Sequence, residues 1–134
     1  MKKVDGFMGI QDGRDYLILA QDDLNAAIIL GNIPNQYHNA CFHAQAAAEK
    51  ALKAVLLAEG VHFRKVHDIE YLIDQIRITH SDFPPFGIEA AVLNQYSIDT
   101  RYRRSFRDHV EKHEAQEAIR YAQVIMAECQ KLIE

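Results

Sequence analysis

The chain has 134 residues, of which 49% are hydrophobic and 25% are charged, and this suits a single domain with its own core. Its three prolines and six glycines are too few turn formers for a sandwich or barrel of many short strands. The formal net charge of −4 argues against non-specific coating of nucleic acid, because proteins that do so are usually strongly basic.

The first half of the chain predicts two helices separated by a turn that contains a proline. Residues 1–11 are expected to form a loose leader, and Asp12 is expected to cap a helix that ends at Gly31. A second helix is predicted from Asn35 to Glu59, with Gly60 as its stop. Alanine is frequent in this second helix, and because it favours helix and has little bulk, the helix is expected at the centre of a bundle.

The second half predicts three more helices. Asp68 is expected to cap a helix over Ile69–Ile78, a shorter helix is predicted over Ile88–Tyr96, and the last helix is predicted over Glu114–Ile133. No segment alternates apolar and polar residues for long enough to predict a strand. The sequence therefore predicts one all-α domain over residues 1–134, an antiparallel up-down bundle of four main helices and one short helix.

The cysteines and the apolar runs bear on the compartment. Cys41 and Cys129 lie in apolar helical surroundings, without the spacing of a disulfide framework, and are expected to be reduced core residues. No apolar run approaches the roughly 18 residues that a membrane span needs, and the N-terminus lacks the apolar region of a signal peptide. A cytoplasmic protein without membrane association is expected.

A group on the second helix offers ligands of the types that zinc prefers. His38, Cys41 and His43 lie within six residues, and His38 and Cys41 have the i, i+3 spacing that places two ligands on one helix face. No H-E-x-x-H pattern accompanies them. Core or interface histidines are the favoured interpretation, and neither a metal nor a cofactor is expected.

The stretch "YSIDTRYRRSFRDH" concentrates positive charge in an acidic chain. Arginine forks bind phosphate oxygens through paired hydrogen bonds and never lose their charge, while a histidine near neutrality can move a proton. The segment is therefore either a solvated loop between helices or a site for a phosphate-bearing ligand. Its arginines are Arg101, Arg103, Arg104 and Arg107, and His109 ends it.

Arginine and histidine recur at one spacing here. Arg104 and Arg103 precede His109 by five and six residues, and Arg107 precedes His113 by six. Such pairs could hold an RNA phosphodiester and transfer a proton during its cleavage. The spacing alone is weak evidence because short patterns arise by chance.

Four stretches together resemble the HEPN domain family of prokaryotes. They are "YHNACFHAQAAAEKALKAVLLAEG", "VHDIEYLIDQI", "YSIDTRY" and "EAQEAIRYAQVIMAECQKLI". The similarity extends from about Tyr16 to Ile133, and its most specific parts are "AAAEKALKAVL" and the "RY" of Arg101 and Tyr102.

The resemblance implies a helical bundle that forms homodimers. It also implies binding of a nucleotide or an RNA phosphate, and pairing with a minimal nucleotidyltransferase as in a toxin–antitoxin pair. Many family members are ribonucleases with an Arg-x4–6-His motif. The alternative function is therefore a metal-independent endoribonuclease toxin.

The resemblance assigns roles to residues of this chain. Arg104 and His109 match the nuclease motif by spacing, although Ser105 stands where the family often has Asn, Asp or His. Arg101 and Tyr102 match the "RY" motif, for which nucleotide or phosphate contact and dimer structure remain alternatives. Arg103 and Arg107 are expected to add phosphate contacts.

Two further features bear on structure and assembly. Glu49 and Lys50 match the "EK" of the family, and an ion pair within or between helices is the favoured interpretation. The small residues of the second helix and several aromatic side chains favour an isologous homodimer. The aromatic residues expected as anchors near the bundle ends are Tyr37, Phe42, Phe63, Phe83 and Phe86.

Overall fold

A computed structural model describes residues 9–97 and 110–133 of the chain. These residues form helices connected by turns, with no strand among them, and the predicted all-α bundle is confirmed. The helices are α1 (Ile10–Leu30), α2 (Tyr37–Ala58), α3 (Ile69–Thr79), α4 (Gly87–Asn94) and α5 (Lys112–Ile133).

Helix α1 begins earlier than the sequence predicted. Gly9, not Asp12, is the N-cap residue, and its backbone N–H donates to the carbonyl of Leu57 at 2.7 Å. This bond joins the start of α1 to the end of α2. Asp12 lies in the first turn of the helix, where its negative charge favours the N-terminus. The predicted cap at Asp12 was wrong, whereas the predicted end at Gly31 is confirmed.

Helix α2 begins two residues later than predicted. Asn35 has a φ of 71°, a left-handed conformation that cannot belong to a right-handed helix but that asparagine tolerates better than most residues. The helix therefore begins at Tyr37, after Gln36 as its N-cap residue. At the other end Gly60 has a φ of 70°, and the predicted stop at this glycine is confirmed.

Side-chain caps define α3 and α5. The Asp68 carboxylate accepts a hydrogen bond from the backbone N–H of Tyr71 at 3.2 Å, as the predicted cap requires. In α5 the carboxylate of Glu114 accepts from the backbone N–H of Glu111 at 2.8 Å. Because this bond secures the preceding turn, α5 begins at Lys112, two residues before the predicted start.

Helix α2 lies at the centre of the bundle, as predicted from its alanines. It packs against α1, α3, α4 and α5, and most of its residues are buried. Its small side chains allow close approach: a Cβ atom at Gly13 of α1 would lie 2.6 Å from the Cβ of Ala58. Cys41 and Cys129 are buried free thiols, in agreement with the prediction that they belong to the core.

One aromatic side chain that was expected at an interface is buried instead. Phe83, expected as an interface anchor, is only 4% exposed and belongs to the core, where it packs edge-on against Phe86 at a ring-centroid distance of 5.8 Å. The prediction that Phe83 is an interface anchor was therefore wrong.

None of the helices in residues 9–97 and 110–133 combines the length and the apolar character needed to cross a membrane.

Candidate functional site

The predicted site residues of the arginine segment lie outside the described residues, which stop at Ser97 and resume at Val110. His113, the partner predicted for Arg107, lies in the first turn of α5 and is 77% exposed. Its Nδ1 lies 3.6 Å from Oε1 of Glu111. The residues whose predicted roles fall outside the described ranges are Arg101, Tyr102, Arg103, Arg104, Arg107 and His109.

Tyr96, just before that segment, and Val110, just after it, both lie beside the first turns of α2. On one side the buried side chain of Tyr96 is hydrogen-bonded to Cys41. On the other side Val110 lines a cavity together with His38, and His38 precedes Cys41 by about one helical turn. The chain therefore leaves and re-enters the described structure at one end of the bundle.

Burial and negative charge shape this part of the core. Burial raises the pKa of the Cys41 thiol to about 12, and the nearby carboxylates of Glu114 and Glu117 raise it further. Burial likewise raises the pKa of Tyr96, with Cys41 and Glu114 acting in the same direction. The thiol of Cys41 and the hydroxyl of Tyr96 are therefore neutral near pH 7. Their hydrogen bond holds Tyr96 against α2, and neither group adds charge to this end of the bundle.

A cavity of about 330 Å³ opens at this end of the bundle. One wall consists of Pro34 and Asn35 from the α1–α2 turn and of Tyr37 and His38 from the first turn of α2. The facing wall consists of Val110, Glu111 and Lys112, at the start of α5. We call this region the cavity end, defined as residues 34–38, 96–97 and 110–112.

The walls of the cavity mix chemical types as small-molecule sites do. Tyr37 packs partly against the core and partly lines the cavity, so its ring is held by the bundle. Lys112 is exposed and forms no ion pair with any other residue in the described ranges. Small-ligand pockets in proteins commonly have about 300–1,000 Å³ and combine apolar walls with a few polar groups. The cavity reaches the lower limit of this range in volume.

A second polar region lies along the middle of α2, where α1 packs against it. Oδ2 of Asp23 accepts from Nζ of Lys50 at 2.5 Å, and Oδ1 lies 2.8 Å from Nδ1 of His43. Burial raises the pKa of Asp23, but the hydrogen bonds and positive charges of His43 and Lys50 outweigh that effect and hold the pKa below its usual value. Lys50 therefore forms an ion pair between helices.

The neighbouring cluster is centred on Glu49, whose side chain is 10% exposed. Its carboxylate accepts from Nζ of Lys53 at 2.7 Å and from Nε2 of the buried Gln45 at 2.9 Å. Nδ1 of His67, in the connector before α3, lies 3.1 Å from the same carboxylate. The predicted ion-pair role of Glu49 and Lys50 is thus confirmed. We call Asp23, His43, Glu49, Lys50, Lys53 and His67 the ionic face of α2.

Two of the candidate zinc ligands on the second helix, His43 and Cys41, contact other side chains of the bundle. The ring of His43 is directed at Asp23, while Cys41 is hydrogen-bonded to Tyr96. Among the residues that the structure describes, no three His, Cys, Asp or Glu side chains come close enough together to hold a metal ion.

Sequence reasoning missed several partners. The ion pair between Glu49 and Lys53 could have been predicted, because residues four apart lie on the same face of a helix. Asp23 precedes Lys50 by 27 residues, and only the packing of α1 on α2 brings them together. The cavity likewise joins segments more than 70 residues apart, so Lys112 gave no signal as a cavity residue, and Tyr37 was considered only as an interface anchor.

The family comparison covers most of the chain. Residues 14–132 match the family model described as "HEPN domain". No curated protein matches the chain.

Two solved structures have similar folds. The crystal structure of TT1696 from Thermus thermophilus is 33% identical, with a TM-score of 0.76 over 90% of this chain and 97% of that one. The structure of ST0689, described as an archaeal HEPN homologue, is 26% identical, with a TM-score of 0.75 over 91% of this chain and 98% of that one. The chain therefore belongs to the HEPN domain family.

Proposed function

We propose that this protein binds a nucleotide or an RNA phosphate at the cavity end of the bundle. The observation that carries the proposal is that Val110, the first described residue after the arginine segment, lines the cavity together with Lys112. The sequence of the segment supplies the expected phosphate contacts, with four arginines against one aspartate between Arg101 and His109. Arginine suits this role because its planar fork matches the phosphate oxygens.

The two lysines of the ionic face are less suited to bind a phosphate than Lys112. Lys50 and Lys53 are both paired with carboxylates of the protein. A phosphate that bound either lysine would have to displace an internal partner. Lys112 has no such partner in the described ranges, so a phosphate can approach it without breaking an ion pair.

The experiment compares the wild type with an Arg101→Ala/Arg104→Ala double variant in binding a fluorescent single-stranded RNA oligonucleotide. Because each lost phosphate contact lowers the slope of log K against log salt by about 0.7 for a single strand, the double variant is expected to bind more weakly and with a flatter salt dependence. Unchanged affinity and slope would mean that the arginines form only a solvated surface.

The same assay, run in EDTA, tests the ribonuclease alternative. If Arg104 and His109 catalyse cleavage, the wild type cuts the RNA and His109→Ala does not, because a general acid–base group contributes about 10²–10⁴-fold. If the wild type binds the RNA without cleaving it, the result would favour the proposed binding function over the ribonuclease alternative.

The proposal includes a homodimer that works with a nucleotidyltransferase-family partner in a toxin–antitoxin-like pair. Ile18 and Ile29 support an interface on α1, since they are 61% and 63% exposed and their eleven-residue spacing places them on one helix face. Light scattering should give twice the mass of 15.3 kDa, and a monomer at micromolar concentration would contradict the dimer.

The proposed pairing of this protein with a nucleotidyltransferase is tested by co-purification with the nucleotidyltransferase encoded nearest to this gene.

A further inference from the structure

We propose that the cavity takes one unpaired nucleotide, with its base against the ring of Tyr37 and its phosphate towards Lys112. This inference rests on the proposed function and names the ligand class that the cavity itself would recognise. It uses only described residues, so it can fail while phosphate binding by the arginine segment stands.

The first argument is the chemistry of the cavity walls. A site for a bare phosphate is expected to contain cations and hydrogen-bond donors, yet the carboxylate of Glu111 lines this cavity beside Lys112 and Tyr37. A carboxylate repels phosphate but accepts hydrogen bonds from ribose hydroxyls and from base amino groups. The hydroxyl of Tyr37 can donate to a phosphate or to a ribose oxygen, but its aromatic ring adds a face on which any base can stack. An aromatic ring, a carboxylate and a lysine together match a nucleoside that carries a phosphate.

The second argument is size. A volume of about 330 Å³ lies at the lower limit for small-ligand pockets, which begin at about 300 Å³. It suits a single nucleotide unit and is too small for a duplex, whose bases are also paired and unavailable for stacking. Single-stranded nucleic acid is therefore the favoured form of an RNA ligand.

The third argument is the rigidity of the contact residues. Tyr37 packs against the core, and α5 is fixed at its start by the bond from the backbone N–H of Glu111 to the carboxylate of Glu114. A ring that is already held by the bundle loses little conformational entropy when a base stacks on it. Most of the stacking free energy is then available for binding.

The test uses two fluorescent probes of equal length and charge, a single-stranded RNA oligonucleotide and the corresponding abasic ribose–phosphate oligomer. Tyr37→Leu keeps an apolar side chain against the core but removes the aromatic face. Since base–aromatic stacking contributes about 1–3 kcal/mol per base, this variant should bind the RNA about 5- to 150-fold more weakly. Its affinity for the abasic oligomer should not change.

Two control variants separate stacking from a loss of structure. Tyr37→Phe retains the ring and should bind both probes as the wild type does. Phe42→Leu removes a neighbouring aromatic ring of α2 that packs against His43 and does not line the cavity, so it should leave RNA binding unchanged. Circular dichroism of each variant checks that the bundle is folded.

The outcomes distinguish this inference from the proposed function. Selective loss of RNA affinity in Tyr37→Leu supports the inference. Equal binding by Tyr37→Leu and the wild type, with both probes lost in Arg101→Ala/Arg104→Ala, overturns the inference and leaves the proposed function standing. Failure of the wild type to bind either probe overturns both.

Discussion

The ionic face of α2 and the cavity end of the bundle both contain lysine and histidine side chains, the cavity end one of each, but the two regions differ in what their lysines contact. On the ionic face each cation meets a carboxylate of the same chain, as Lys50 meets Asp23 and Lys53 meets Glu49. At the cavity end Lys112 borders an open volume and forms no ion pair within the described ranges. Lys112 is thus distinguished by two features together, the lack of an ion pair in the described ranges and its position at the cavity.

The comparison predicts opposite consequences of mutation in the two regions. Changes on the ionic face should alter the free energy of unfolding and leave ligand binding intact. Changes at the cavity end should do the reverse.

The largest expected effect follows from Glu49→Ala. The substitution removes the acceptor of Lys53 and Gln45, and leaves a mostly buried ammonium and a buried amide without a partner. Removing one partner of a buried ion pair typically costs about 3–5 kcal/mol, and we expect a loss of about 3 kcal/mol in urea unfolding. The control is Glu128→Ala, whose partner Lys131 is 70% exposed and which should change stability by less than about 1 kcal/mol. Equal losses in the two variants would contradict the structural role of the ionic face.

Much of the fold could be predicted because its signals are local. Asp68 and Gly60 marked a helix start and a helix end through short-range chemistry. Asp12 misled because an acidic residue suits both a cap and a first turn, and only the bond from Gly9 to Leu57 decides between them. The left-handed conformation of Asn35 likewise depends on how α1 and α2 meet.

The candidate site could be predicted only in part, for the same reason. The arginine segment is contiguous, so its composition was visible in the sequence, although its residues lie outside the described ranges. The cavity requires the α1–α2 turn to meet the start of α5, and no local pattern encodes that contact. The pairing of Asp23 with Lys50 also depends on the register between α1 and α2.

A matched pair of lysine variants should separate the two regions. Lys50→Gln removes a cation from the mostly buried carboxylate of Asp23 and should cost about 1–2 kcal/mol of stability without changing RNA affinity. Lys112→Gln should leave stability unchanged and lower the salt slope of RNA binding by about 0.7, the loss of one phosphate contact on a single strand. Urea unfolding and fluorescence anisotropy on both variants provide the measurements. Weaker RNA binding by Lys50→Gln would show that the ionic face takes part in ligand binding.

A smaller effect should appear in the acid range. The pKa of Asp23 is held below its usual value in the folded protein, so its carboxylate stabilises the fold above the unfolded-state pKa of about 3.9. That contribution is lost as the pH falls through the folded-state pKa. The stability difference between the wild type and Asp23→Asn should therefore be constant near neutrality and shrink below about pH 4. A difference that stays constant down to the acid transition would mean that Asp23 is not the titrating group.

The most direct test of the contrast between the two regions is to map the ligand on the folded protein by NMR. An isotope-labelled sample is titrated with the single-stranded RNA oligonucleotide, and the amide shifts are followed residue by residue. We predict saturable shifts at the cavity end, at residues 35–38 and 110–112, and none along α2 from Glu49 to Lys53. Shifts concentrated on the ionic face, with the cavity end unchanged, would contradict the account.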